Sequence, residues 1–330
     1  MSRVRTNHLA SLSLLWSLML VAPAAVASAS VLQQLTDMVE SMRNANFEGV
    51  YVHVRGDAIE TMEVVHINDG RHEFERLTSL TGEKREILRD DNTCRCTWPD
   101  QRTVIKGYFP GARTKISGER FSNPRLLQEN YQIVSAGFDR VAGRDCKLIA
   151  LVPKDALRYG YKLCVDQDHG LILRLSVFNE EGVAVEHNFF TTLTIYDEPL
   201  PVGAYASRID NDDFEVVRGE IASRGETAAA PTWKIDPLPK GYELKYHLLR
   251  VNPITQNQFE HYVYTDGLAT ISVFIEQVGE DEHPLPKMRM SHAMNTQTRF
   301  VDGYRVTVIG EAPQRVVELF CQNARPISGH

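Results

Sequence analysis

Five cysteines are the residues of this chain whose spacing points most directly to chemistry. Cys146 and Cys164 lie in two runs, Asp145 to Val152 and Arg158 to Asp166, that read as strands joined by Pro153-Lys154-Asp155-Ala156-Leu157. An antiparallel register centred on Asp155 sets the two cysteines opposite each other. A disulfide between them would be worth about 3 kcal/mol in the chain-entropy account; two buried thiols are the alternative. Cys94 and Cys96, in Thr93-Cys94-Arg95-Cys96-Thr97-Trp98, should point to one face of a strand. No second Cys/His pair at finger spacing accompanies them, so no metal site is expected. Cys321 falls one turn after Val317 on an amphipathic C-terminal helix and reads as a core thiol.

Catalytic patterns are missing. The chain has no Gly-x-Ser-x-Gly elbow, no His-Glu-x-x-His and no glycine loop for phosphates. Its 11 histidines are scattered, and neither His66 with His72 nor His283 with His292 has a spacing that a helix or strand turns into a metal site. No catalytic residue and no cofactor is expected, which favours a binding protein over an enzyme. The formal net charge is -7, and removing Arg3 and Arg5 takes it to -9. Such a chain has no bulk attraction for phosphate backbones, so nucleic acid is excluded as a partner.

Residues 1–29 read as a cleavable export signal. Arg3 and Arg5 precede a short apolar run from Ala10 to Ala22, and Ala27-Ser28-Ala29 is a small-x-small cleavage site. The run is shorter than the ~20 residues of a membrane span. A mature chain beginning at Ser30 would meet an oxidising compartment, where disulfides persist.

The elements that must position these residues are mostly strands. Ser30 and Gln33 have capping-box spacing ahead of the stripe Leu32, Leu35, Met38, Val39 and Met42, which predicts a first helix. Phe47 to Arg55 alternates as a strand, and turn clusters at Arg55-Gly56-Asp57, Asn68-Asp69-Gly70, Thr81-Gly82 and Asp90-Asp91-Asn92 predict a meander. Asn123-Pro124 opens a second short helix. Strands at Tyr131 to Arg140, Asp145 to Val152, Arg158 to Asp166, Leu171 to Asn179 and Val183 to Tyr196 follow. The fold class is therefore mainly β: one wide antiparallel sheet with two helices against its concave side, over residues 30–217. Residues 218–230, rich in glycine, alanine and charge, read as a linker. Residues 231–330 read as a smaller α+β unit with strands at Tyr242 to Arg250, Gln258 to Thr265, Thr270 to Val278 and within Gln297 to Ile309, a polar stretch from Gly279 to Met288, and a helix from Pro313 to about Asn323.

Read as a whole, residues 31 to 325 resemble the MucB/RseB family of periplasmic regulators of the envelope-stress sigma factor. The resemblance is carried by Phe47-Glu48-Gly49-Val50-Tyr51-Val52, by Arg85-Glu86-Ile87 leading to Asp90-Asp91, by Val141-Ala142-Gly143-Arg144-Asp145, and by Arg158-Tyr159-Gly160-Tyr161-Lys162-Leu163 leading to Asp166, Asp168 and Gly170-Leu171. In the second unit it is carried by Leu238-Pro239-Lys240-Gly241-Tyr242, by Tyr264-Thr265-Asp266-Gly267-Leu268-Ala269 with Ser272-Val273-Phe274-Ile275-Glu276, and by Val306-Thr307-Val308-Ile309-Gly310-Glu311-Ala312-Pro313. The cysteines are not part of this pattern.

The resemblance implies an N-terminal unclosed β-barrel capped by helices, similar to carriers of the LolA/LolB type, and a smaller C-terminal α+β domain. It implies a partner, the periplasmic region of a transmembrane anti-sigma factor, shielded from regulated proteolysis until lipopolysaccharide or lipoprotein acyl chains trigger release. A periplasmic lipid or lipoprotein carrier is the alternative, and a homo-oligomer stays open. Aromatic and arginine side chains dominate interfaces, so Trp233, Tyr242, Arg250, Tyr262 and Tyr264 are the partner-binding candidates. Tyr51, Val64, Phe178 and Phe189 are nominated from strand alternation to line the hollow.

Overall fold

The computed structural model describes residues 24–91, 93–108, 118–219, 230–251, 257–278 and 293–327. The expected signal through residue 23, the linker residues 220–229, the polar stretch from Gly279 to Met288 and the His283/His292 pair lie outside them.

Helix α1 spans Ala24–Asn44. It runs through Ala27-Ser28-Ala29 and Ser30 without a break, so Ser30 does not cap a helix in the uncut chain. The alanines upstream are strong helix formers and carry the helix back past that serine. Strands β1 (Asn46–Arg55), β2 (Ala58–Asn68), β3 (Glu73–Ser79), β4 (Glu86–Asp90), β5 (Thr93–Trp98) and β6 (Thr103–Tyr108) form the meander. Helix α2 (Pro124–Asn130) starts where the sequence places it: the Asn123 side chain accepts from the Leu126 N–H at 3.2 Å, and proline takes the first helical position. Then come β7 (Tyr131–Val141), β8 (Arg144–Pro153), β9 (Gly160–Asp166), β10 (Ile172–Phe178), β11 (Ala184–Tyr196) and β12 (Glu215–Gly219), the last taking in Arg218 and Gly219.

These twelve strands make one sheet in the order β12-β6-β5-β4-β3-β2-β1-β11-β10-β9-β8-β7. Neighbours are antiparallel except β6 with β12, and β7 and β12 remain separate edges, so the sheet is unclosed. One face is filled by α1: Leu35, Met38 and Met42 are buried with Phe47, Tyr51, Met62, Val64, Leu163, Leu175 and Phe190. On the opposite face, Val65, Ile67 and Phe74 pack under Leu200, Ala204 and Tyr205, with the Phe74 and Tyr205 rings stacked at 4.4 Å.

Residues 230–327 supply β13 (Trp233–Ile235), β14 (Glu243–Val251), β15 (Gln258–Thr265), β16 (Thr270–Gln277), β17 (Asn295–Val301), β18 (Tyr304–Gly310), helix α3 (Gln314–Asn323) and β19 (Ala324–Pro326). The five-stranded sheet has the order β14-β15-β16-β18-β17. Val316, Val317, Phe320 and Cys321 of α3 are buried against Tyr262, Tyr264, Val273, Val306 and Val308. This is the core thiol the sequence suggests for Cys321. Among the described residues no helix is long and apolar enough to cross a membrane.

Cys146 and Cys164 form a disulfide with a Cα separation of 5.4 Å. The register differs from the one read in sequence. Cys146 stands opposite Asp166 and Cys164 opposite Leu148, so the bridge runs diagonally between same-face neighbours. Lys154 leaves the hairpin to donate its N–H to the Asn130 carbonyl at 3.0 Å, and β9 begins only at Gly160. The connection is therefore longer than a turn centred on Asp155, and the pairing slides by two residues.

Candidate functional site

The two units meet at a buried polar junction built from Arg158, Asp266, Asp155, Asn130, Tyr131 and Tyr242. Arg158 leads into β9, and its side chain is 0% exposed. Its guanidinium bonds the Asp266 carboxylate at 3.2 Å, Asp155 at 2.9 and 3.1 Å, and the Lys240 carbonyl at 2.8 Å. The same group lies 5.9 Å from the Tyr131 ring centre and 5.4 Å from that of Tyr242, within cation–π range. Asp266, also 0% exposed, accepts from the Tyr131 hydroxyl at 3.0 Å and from the Leu268 and Ala269 N–H groups at 2.9 and 2.7 Å. Asn130, at the end of α2, donates to the Gly241 and Asp266 carbonyls at 3.1 and 2.8 Å. The Tyr242 hydroxyl donates to the Leu157 carbonyl at 3.1 Å.

Close approach requires glycine at two points. Gly241 has φ +79°, and a Cβ there would meet Asn130 Oδ1 at 2.2 Å; Gly267 has φ +102°, and its Cβ would meet the Leu126 Cβ at 2.8 Å. Apolar packing continues across the seam, since Leu268 and Ala293 belong to the same buried cluster as Leu127, Tyr131 and Tyr159. At the rim, Arg125 bonds Glu243 at 2.8 Å and Arg120 bonds Glu311 at 3.3 Å.

The electrostatics follow from this packing. Burial, reinforced by the Asp266 carboxylate, pushes the Tyr131 and Tyr242 phenols well above their ordinary range, so both act as neutral donors. Burial opposes ionisation of Asp155, yet the hydrogen bonds from Arg158 and the Leu157 N–H overcome it and hold its carboxyl below the usual value. Every charge at the centre is matched. Beside it, a cavity of about 460 Å³ opens between Ala150–Pro153, Asp155, Arg158, Lys162 and Phe178, so its occupant would touch the groups that hold the junction.

The nominated residues fall elsewhere in part. Trp233, Tyr242, Tyr262 and Tyr264 are all buried in the core of the second unit, where they pack against α3 and its neighbours. They are fold residues there, and Tyr242 belongs to the junction. Arg250 is half-buried on the sheet face opposite α3, on β14 with Tyr246. Of the four hollow residues, Tyr51 and Val64 face α1 and are buried. Phe189 does not: a bulge between Val50 and Tyr51 puts Phe190 opposite Tyr51, and Phe189 turns to the other side. Phe178 alternates with Val177, which faces α1, and so lines the outer cavity. The α1 face is also less apolar than expected, because Glu75, Arg89 and Cys94 stand in line across β3, β4 and β5 on that side.

Arg158 and Asp266 were missed as a pair because 108 residues separate them. A usable signal existed: an arginine inside an apolar hairpin and two Gly-containing turns, Lys240-Gly241 and Asp266-Gly267, beside buried aromatics.

Comparison with known proteins places the chain among relatives. A model of the MucB/RseB N-terminal domain matches residues 30–216, and one of the MucB/RseB C-terminal domain matches residues 227–325. The "Sigma factor AlgU regulatory protein MucB" of Pseudomonas aeruginosa is 32% identical, covering 98% of this chain and 98% of that protein. The Pseudomonas aeruginosa MucA/MucB complex contains a chain similar to this one with a TM-score of 0.71 and 25% identity, over 91% of this chain and 100% of that one. MucB solved in complex with MucA(peri) gives a TM-score of 0.69 and 26% identity, over 92% and 100%.

Proposed function

Because the chain belongs to the MucB/RseB family, we propose that it is an exported regulator that binds the periplasmic region of a membrane-spanning anti-sigma factor and shields it from regulated proteolysis. Envelope-stress signals carried by lipopolysaccharide or lipoprotein acyl chains release that partner. The supporting observation is the junction. Arg158-Tyr159, Lys240-Gly241-Tyr242 and Asp266-Gly267-Leu268, stretches by which the family is recognisable in sequence, converge there and hold two separately cored units as one body.

The second unit supplies most of the grip. Among the described residues its β14 is a sheet edge that starts at the junction, through Tyr242 and the Glu243–Arg125 bridge, and carries exposed Leu244, Tyr246 and Val251 with Arg250. An extended partner segment can add to such an edge by main-chain hydrogen bonds while aromatic and arginine side chains anchor it. An acyl ligand has two routes to the junction: displacing α1 from the sheet face it fills, or entering the cavity beside Arg158 and Asp155. No catalytic step is assigned.

Titration of the periplasmic segment of a MucA-type anti-sigma factor against the mature chain tests the reading. Saturable binding is expected, weakened at least tenfold by Tyr246→Ala with Arg250→Ala, the loss of an anchor worth ~2 kcal/mol or more. Added lipopolysaccharide should weaken it by roughly 5- to 150-fold, the usual range of coupling between sites. Absence of binding, with lipoprotein alone recovered on the chain from periplasm, would support a carrier instead. Intact mass of exported protein should begin at Ser30; a mass retaining residues before Ala27 would refute the cleavage site.

A further inference from the structure

The thiols of β5 stand apart from both the junction and the β14 edge. Cys94 and Cys96 share one face, with their sulphurs 3.6 Å apart in a mutual hydrogen bond. Cys94 is buried and Cys96 half-buried, both unbridged. Directly across β4 from Cys94 is Arg89, whose guanidinium is held at 3.1 Å by the buried Glu75 carboxylate. The hydrogen bond from Cys96, supported by the Arg89 charge against the effect of burial, brings the Cys94 thiol down to about 7, while Cys96 is pushed up as the donor. Cys321 is also a buried thiol, but it has no second sulphur beside it on α3, and burial pushes it up to about 11.

A metal would need further ligands. Among the described residues no third Cys, His, Asp or Glu brings a ligand atom within 4.8 Å of both sulphurs, and the Arg89 charge opposes a cation. A thiolate beside a guanidinium and a second thiol in contact with it is instead the arrangement of an exchange pair.

We propose that Cys94 and Cys96 form a thiol–disulfide exchange site, closed to an intrastrand disulfide by a small-molecule disulfide such as oxidised glutathione. The Cys94 thiolate attacks one sulphur of the incoming disulfide; that S–S bond breaks, and the departing thiolate takes up the proton Cys94 released. Cys96 then attacks the Cys94 sulphur of the mixed disulfide and gives its proton to the second departing thiolate. The protein loses two electrons and the small disulfide becomes two thiols. Residues two apart in a strand sit about 6.6 Å apart at Cα, near the upper limit a disulfide tolerates, so the bond is reopened by mild reductant. Cys146–Cys164, buried with Leu148 and Leu173, stays closed under the same conditions.

The full mature chain is equilibrated in buffers of graded reduced-to-oxidised glutathione ratio, quenched with acid, alkylated under denaturing conditions and peptide-mapped. The expected result is that the peptide containing Thr93–Trp98 loses both alkylation sites and two hydrogen masses reversibly as the buffer becomes oxidising, while Cys321 stays alkylatable and Cys146–Cys164 stays bonded throughout. Cys96→Ser should accumulate one glutathione on Cys94, and Cys94→Ser should not accumulate it on Cys96. Wild-type Cys94 and Cys96 that remain thiols across the series, or that stop at a stable mixed disulfide, would overturn the proposal without reference to either variant.

Discussion

Two buried arginine–carboxylate pairs in this molecule are satisfied to very different degrees. At the junction, Arg158 and Asp266 find partners for each of their polar groups, in Asp155, the Lys240 carbonyl, the Tyr131 hydroxyl and two backbone N–H groups. Between β3 and β4, Arg89 and Glu75 share one contact at 3.1 Å, and among the described residues the Arg89 Nε and one Glu75 oxygen are buried with no hydrogen-bond partner. Desolvating an ion pair is repaid only when the remaining lone pairs and protons are also satisfied. The first pair thus fixes how two units meet, whereas the second keeps unmet polar capacity beside a dithiol.

Replacing both members of each pair with apolar residues should separate the two cases most widely. Arg158→Met with Asp266→Leu strands Asp155, the Tyr131 hydroxyl and the Leu268 and Ala269 N–H groups, and should cost at least about 3 kcal/mol in chemical denaturation, because each buried polar group left unpaired costs about 1–3 kcal/mol. Glu75→Leu with Arg89→Met should be neutral or should stabilise by up to ~1–4 kcal/mol. Equal losses in the two double variants would erase the distinction. A smaller cut within the junction, Tyr131→Phe, leaves one Asp266 oxygen a donor short and should cost about 1–3 kcal/mol in the same measurement. Gly241→Ala should cost more than about 1 kcal/mol, because φ is +79° and the new Cβ would strike Asn130.

The smallest effect is on pH dependence. Asp155 is ionised at a lower pH in the folded chain than in the unfolded one. Its contribution is therefore complete above the ordinary aspartate value of ~3.9 and disappears as pH falls through the lowered folded value. Asp155→Asn should flatten the acid limb of the stability curve there; an unchanged limb would show that Asp155 does not hold Arg158.

Much of the fold was legible because it is local. The Asn123-Pro124 start of α2 and the strands Gln258–Thr265 and Thr270–Gln277 follow from capping and alternation alone. Alternation along β11 changes phase at the Thr191 bulge, which gives Phe190 the side expected for Phe189, whereas Phe178 lies off the α1 face by plain alternation with Val177. A hairpin register two residues out of step with the observed one still puts Cys146 and Cys164 on one face, so the pair is legible in sequence. Four of the five partner candidates, Trp233, Tyr242, Tyr262 and Tyr264, are buried for another reason. Aromatic residues are favoured at interfaces and in cores alike, so composition could not distinguish Tyr262, packed beneath α3, from Tyr246 at the exposed edge. The junction was the least legible part, since a buried arginine looks like any surface arginine until the fold brings its carboxylate from another unit.

The locked junction should be needed for the grip on the anti-sigma segment. Calorimetric titration of a MucA-type periplasmic segment should compare the mature chain with its Tyr131→Phe and Arg158→Met/Asp266→Leu variants, each first shown by peptide mapping to retain the Cys146–Cys164 bond. Binding should weaken progressively, at least tenfold in the double variant. Identical affinities across the three folded proteins would contradict it and reduce the junction to a structural seam.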